Sequence, residues 1–137
     1  MKKLLVHGIV AGVLAAVAGV IYLNIYQGAF GVDYDAVINV GSIVGASIIG
    51  CMLMTTGYAA LLKLNRQNLT GWLNILIVVL SFASIISPIG MSLPLDVEFP
   101  ELFPGLVVPM HFFPALAFFA IHPFFQTNIK TLENDNY

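Results

Sequence analysis

The sequence predicts an all-α protein built as a bundle of four transmembrane helices, and two observations carry this prediction. Of the 137 residues, 59% are hydrophobic and 9% are charged, against roughly 45–50% apolar and about 25% charged in ordinary soluble domains. The charges are also clustered, and they leave four uncharged stretches at residues 4–32, 36–62, 67–95 and 102–129. Each stretch exceeds the roughly 20 residues that a spanning helix needs.

A third observation separates helices from the strands of a membrane barrel. Barrel strands alternate apolar and polar residues over about ten positions, and these stretches do not alternate. Because lipid offers no hydrogen-bond partner to the backbone, a spanning segment that is not part of a barrel must be a helix.

In chain order, the four helices are expected at about residues 4–26, 36–62, 71–90 and 105–125. Asn68 or Thr70 is a candidate cap for the third helix, since its side-chain oxygen can accept a bond from a free amide. Pro88 should bend or end that helix near its far end. No linker is long enough to divide the chain, so residues 1–137 are expected to form one integral membrane domain.

The basic residues predict the orientation. All five fall at the same ends of the predicted helices, namely Lys2, Lys3, Lys63, Arg66 and Lys130. Basic residues that flank spans stay in the cytoplasm, so both termini are expected on the cytoplasmic side. The apolar run after Lys3 continues to Ile25, which is longer than a typical signal-peptide core. It is therefore interpreted as the first spanning helix.

The opposite loops carry the acidic residues Asp33, Asp35, Asp96, Glu98 and Glu101. Their spacing matches no known cation-binding loop, so a solvated acidic surface is the preferred interpretation. The formal net charge of −2 gives no reason to expect nucleic acid as a partner.

Small residues indicate how the helices pack. They recur at helical spacing in the first two helices, at Gly8, Gly12, Gly19, Gly41, Gly45 and Gly50. Residues four apart share a helix face, and small residues let helix backbones approach in lipid. These glycines predict a close contact between the first and second helices inside one bundle, and the alternative is a homodimer interface.

Three histidines are the candidate cofactor-binding residues. His111 and His122 are eleven positions apart, which places them within roughly 20° of one helix face and about 16 Å apart in height. His7 and His122 should lie at similar depth near one end of the bundle, where they could meet. Such a pair could hold haem or a metal. The simpler interpretation is a neutral imidazole that hydrogen-bonds a carbonyl, because Pro114 and Pro123 free carbonyls in the fourth helix.

Other polar residues in the spans give weaker signals. Asn24, Asn39 and Asn74 are expected to form hydrogen bonds between helices. The fourth helix is rich in Phe, which suits bundle filling or contact with another protein. No phosphate-binding loop, nucleophile motif or metalloprotease motif is present, and no predicted span carries a buried charge. An enzyme or a self-contained ion pump is therefore not expected.

Short motifs resemble those of a family of small four-helix proteins of the bacterial inner membrane, to which no activity is assigned. They are Asn24 in GVIYLNIYQG, Ser87-Pro88 near the end of the third helix, and Met110-His111 in VVPMHFFPALA. The resemblance implies a four-helix fold, a location in the bacterial inner membrane and a special role for His111. The acidic loop LPLDVEFPELFPG departs from that family.

Three functional hypotheses follow. The first is a noncatalytic accessory subunit that docks on a larger membrane complex through its aromatic fourth helix; besides the lipid bilayer, the expected partners are other membrane protein subunits or a second copy of the chain. The second is a redox or metal-binding protein that uses His7, His111 and His122, with haem or a metal as cofactor. The third is a small carrier or channel for a neutral solute, which needs a polar pathway past Asn39 and Asn74.

Overall fold

The structure is a computed structural model, and it describes residues 2–94 and 97–134 of the chain. Within these residues all regular structure is helical. The helices are α1 (Lys2–Phe30), α2 (Val40–Lys63), α3 (Thr70–Ser84), α4 (Ile86–Gly90), α5 (Phe103–Met110) and α6 (Phe113–Asn134). Short 3₁₀ turns at Gln67–Leu69 and Pro100–Leu102 precede α3 and α5.

Four helical segments are long and apolar enough to cross a membrane. They are the first span Lys2–Phe30, the second span Val40–Lys63, the third span Gln67–Gly90 and the fourth span Pro100–Phe125. The prediction of an all-helical chain with four membrane-spanning candidates is confirmed.

The two ends of the bundle differ in charge, and they are named here for it. The basic end contains the start of α1 and the connection between α2 and α3, with Lys2, Lys3, Lys63 and Arg66. The acidic end contains the other two connections, with Asp33, Asp35, Glu98 and Glu101. Asp96 and the side chain of Lys130 lie outside the part of the chain whose side chains the structure describes.

The second span begins at Val40, four residues later than expected, because Asn39 caps it. The Asn39 side chain accepts a hydrogen bond from the Ser42 amide over 3.1 Å, and Ser42 Oγ accepts one from the Asn39 amide over 3.0 Å. This reciprocal capping box satisfies two amides at the helix start. Asn39 therefore ends a loop, and the expectation that it bonds to another helix is wrong.

Prolines divide the third and fourth spans. A bend or an end near Pro88 was expected in the third span, whereas the fourth was expected to be one helix over residues 105–125. Pro88 has no amide hydrogen to donate to the carbonyl of Ser84, and α3 ends at that residue. In the same way Pro114 cannot donate to the carbonyl of Met110, where α5 ends. The chain resumes as α6 at Phe113, so the fourth span is broken at residues 111–112.

The first, second and fourth spans form the core, and the third span lies at the periphery. At the acidic end the core includes Leu23, Tyr34, Ile43, Phe103 and Leu106. Towards the basic end it includes Ala11, Cys51, Tyr58, Ile77 and Phe118. Of the residues in α3 and α4, Ile77 alone is buried.

The glycines of the first span face the second span at close range. An added Cβ at Gly12 would lie 3.1 Å from Ile48 Cα, and one at Gly19 would lie 2.7 Å from a methyl group of Ile43. A Cβ at Gly8 would overlap the Thr55 hydroxyl. These positions therefore place the two backbones too close for a larger residue.

The glycines of the second span need a correction. Gly50 faces the fourth span, since an added Cβ would lie 3.4 Å from Pro114. A Cβ at Gly45 would meet no atom within 4 Å, and one at Gly41 would meet its neighbour Asn39. Gly41 and Gly45 therefore lie outside the contact with the first span, because that helix packs on a different face of α2.

Candidate functional site

Three tyrosine hydroxyls tie the acidic end of the bundle together. Tyr22 donates to the carbonyl of Gly105 over 2.9 Å, and Tyr26 donates to the carbonyl of Leu102 over 2.7 Å. Tyr34, which is fully buried, donates to the carbonyl of Phe99 over 2.7 Å. The first span and the loop after it thus hold the start of the fourth span through its backbone.

Burial raises the pKa of the Tyr34 hydroxyl above its ordinary value of 10, and the nearby Tyr26 and Glu101 add to the rise. The neutral hydroxyl is the form that donates to Phe99. This loop contact therefore requires the protonated tyrosine.

Towards the basic end, the fold brings His7 and His122 together. Their ring centroids are 5.4 Å apart, and Tyr58 meets the His122 ring edge to face at 5.2 Å. The His7 ring lies against Phe118 at 4.2 Å and against Phe125 at 4.9 Å. The pair expected from topology is thus in contact, inside an aromatic cluster.

His7 is 1% exposed, and its Nε2 lies 3.0 Å from the carbonyl oxygen of Phe118. A carbonyl can only accept, so Nε2 carries the hydrogen and donates it. Pro123 removes the helical donor from the carbonyl of Phe119. His7 therefore bonds to the neighbouring carbonyl of Phe118 and not to the one that the proline frees.

The geometry of the pair does not support haem or metal binding. His7 already uses Nε2 on a carbonyl, and two phenylalanine rings pack against its imidazole. In the described part of the chain, no group of three His, Cys, Asp or Glu side chains is placed to share a metal ion. The arrangement instead links the first and fourth spans by one hydrogen bond and stacked rings.

The asparagines behave differently from one another. Asn74 accepts a hydrogen bond from the Tyr58 hydroxyl, which joins α3 to α2. Asn24 instead donates to the carbonyl of Val20 in its own helix over 2.7 Å. The expectation of bonds between helices therefore holds for Asn74 and is wrong for Asn24.

His111 lies apart from the other two histidines. Its Nδ1 is 2.8 Å from the carbonyl of Val107, one turn earlier in α5. Since the carbonyl accepts, Nδ1 carries the hydrogen, and Nε2 is the acceptor of the neutral ring. The fourth span breaks directly after His111, so the common face predicted for a regular helix does not apply across the break.

A lateral cleft opens beside His111, between the third span and the rest of the bundle. It consists of two adjoining cavities of about 420 and 500 Å³. Both are lined by Gly50, Ser84, His111 and Pro114. Volumes of this size, with apolar walls and a few polar groups, are typical of small-molecule sites.

Sequence reasoning missed this cleft and the tyrosine contacts. Pro109 in the fourth span signals that the carbonyl of Gly105 needs an outside donor, and Tyr22 is that donor. For the cleft the signal in α3 is weak, because Ser81 and Ser84 are the only polar residues of that helix among its lining.

Comparison of the chain with protein-family models, curated proteins and solved structures finds no match. The family resemblance of the short motifs therefore stays a prediction.

Proposed function

We propose that the protein is a noncatalytic accessory subunit of a larger complex in the bacterial inner membrane, with both termini in the cytoplasm. The orientation rests on the basic end, since basic residues near spans are retained on the cytoplasmic side. The location rests on the four apolar spans and on the resemblance of the short motifs.

One observation carries the proposal: the third span buries few of its residues against the other three spans. In its most apolar window 6% of residues are buried, against 39%, 22% and 33% in the first, second and fourth spans. Helices in lipid are held by close van der Waals contact and by interhelical hydrogen bonds. A span with one buried side chain and the Tyr58–Asn74 bond has few of either, so we infer that another protein completes its packing.

The docking face is therefore reassigned from the fourth span to the third. Phe118 of the fourth span is fully buried, and Phe113 packs edge to face on Tyr22 at 5.7 Å. These rings fill the bundle. The outward face of α3 instead exposes large apolar side chains, which are Trp72, Ile75, Val79 and Phe82.

The partner we propose is a transmembrane helix of a different protein that presents small residues. A ridge of large side chains such as Trp72 and Val79 cannot approach its own copy closely, because a two-fold interface pairs a patch with itself. A partner helix with a small-residue groove would accept the ridge.

Site-specific photo-crosslinking in cells tests this proposal. A photoreactive amino acid at Ile75 or Val79 should give one discrete adduct with another membrane protein. The matched control positions Val17 and Ile21, equally exposed on the first span, should give none. Equal adduct patterns from both faces, or adducts of the chain with itself alone, would overturn the proposal.

A further inference from the structure

The lateral cleft has a polarity that runs along its length. The cavity nearer the basic end is lined by large apolar side chains, among them Leu53, Leu73, Ile77 and Leu80. The cavity nearer the acidic end adds hydroxyls, from Ser42, Ser47 and Ser87. His111 and Ser84 border both cavities, and Ser81 also lines the first, so the polar groups lie at the junction and towards the acidic end.

The cleft is long and uncharged. Its lining follows α3 from Leu73 to Ser84, a rise of about 17 Å at the spacing of an α-helix, and continues beyond the break to Met91. In the residues that the structure describes, no Asp, Glu, Lys or Arg lines either cavity. A charged ligand would lose its hydration there without gaining a partner, so a neutral and elongated ligand fits.

The polar atoms at the junction accept hydrogen bonds. His111 donates through Nδ1 to Val107, which leaves Nε2 as an acceptor in the neutral ring. The Ser84 hydroxyl already donates to the Ser81 carbonyl over 2.8 Å, so its oxygen is left to accept. The complementary ligand therefore carries a hydrogen-bond donor.

We propose that the lateral cleft binds a neutral single-chain amphiphile, with its hydrocarbon tail along Leu73 and Ile77 and its hydroxyl donating to Nε2 of His111. The hydroxyl would lie at the junction of the two cavities, and the remaining polar part would lie among the serines towards the acidic end. This inference stands independently of the partner proposed for the outward face of the third span, because the ligand occupies the inward face.

The test uses the purified full-length chain in phosphatidylcholine vesicles and a pair of probes that differ in one group. The first probe is a long-chain alcohol with a photoreactive diazirine at the end of its tail, and the second is the methyl ether of the same molecule. The ether has the same tail and lacks the donor. Labelled residues are located by mass spectrometry.

The alcohol should label the cleft near Leu73 and Ile77, and the ether should label it roughly three- to fifteen-fold less, which is the range for one hydrogen bond in a membrane interior. His111→Leu should reduce labelling by the alcohol to the level of the ether. His111→Gln should restore part of it, because the side-chain amide oxygen accepts. Ile75→Ala on the outward face is the matched control and should leave labelling unchanged.

Equal labelling of the unmodified protein by alcohol and ether would overturn the inference, and this comparison needs no variant to fold. Labels spread over outward positions such as Val79, without enrichment in the cleft, would overturn it too, since they would indicate ordinary lipid contact.

Discussion

The hydroxyl of Tyr22 donates to the carbonyl of Gly105 across 2.9 Å, and this carbonyl is the one that Pro109 leaves without a helical donor. In a regular helix the amide of residue 109 would bond to that oxygen, but proline has no amide hydrogen. Lipid provides no replacement. The Tyr22 side chain of the first span therefore supplies the hydrogen bond that Pro109 removes from the fourth span.

A double-mutant cycle tests this relationship. Tyr22→Phe should lower the free energy of unfolding by about 0.6 kcal/mol, and by at most about 1.7 kcal/mol, as for other hydrogen bonds between membrane helices. In a Pro109→Ala background the restored amide can bond to Gly105, so the same substitution should cost close to nothing. Helical circular dichroism during denaturation in detergent measures both values. The same cost in both backgrounds would contradict the assignment.

Glycine packing gives a second prediction. Gly12→Ala places a methyl group against the backbone of Ile48, at 3.1 Å, and should destabilise the protein by about 1–3 kcal/mol as overpacking does. Gly45→Ala is the matched control in the neighbouring helix, because its Cβ meets nothing within 4 Å. Thermal unfolding in detergent should separate the two variants. Equal losses of stability would refute the packing described for the first and second spans.

The hydrogen bond between Tyr58 and Asn74 gives a third prediction. It joins the peripheral third span to the second, so Asn74→Leu should loosen that span selectively. Hydrogen exchange should accelerate in residues 70–84 and change little in the first span. Tyr58→Phe should reproduce the effect because it removes the donor from the same bond. Uniform acceleration across all four spans would count against a local role.

The loop residue Tyr34 gives a pH-dependent prediction. Burial, with Tyr26 and Glu101 nearby, raises its pKa above 10 in the folded protein. A raised folded-state pKa means that its contribution to stability is complete below pH 10 and is lost as the pH rises through the higher folded value.

Ultraviolet absorbance of tyrosinate measures this titration. Tyr34→Phe should remove one late-titrating hydroxyl. Glu101→Gln should shift the Tyr34 titration towards lower pH, because a neutral amide no longer opposes the tyrosinate charge. No shift in the Glu101→Gln variant would show that Glu101 does not act on Tyr34.

The sequence predicts some features well because their cause is local. Four helices follow from four long uncharged stretches, and the meeting of His7 and His122 follows from their equal depth in adjacent spans. The cap at Asn39 also has a local signal, since Asn39 and Ser42 have the spacing of a capping box. The apolar run around these residues hides this signal, because it extends the predicted helix back to residue 36.

Other features have no local signal. In the third span Ile77 is buried while Val79 is exposed, and hydropathy does not distinguish these residues. In lipid, the surroundings are as apolar as the core, so burial leaves little pattern in the sequence. The breaks after Ser84 and Met110 were only partly foreseen, because a proline in a membrane helix either bends it or divides it according to its neighbours.

The central claim is that the four apolar helices cross a membrane with the basic end in the cytoplasm, and cysteine labelling in intact cells tests it most directly. The native Cys51 is fully buried, so the unmodified chain is the control and should not react with a membrane-impermeant maleimide. Asp33→Cys, at the acidic end, should react in intact cells, whereas Lys63→Cys, at the basic end, should react after the membrane is opened. Labelling of Lys63→Cys in intact cells, or recovery of the chain without detergent, would contradict the account.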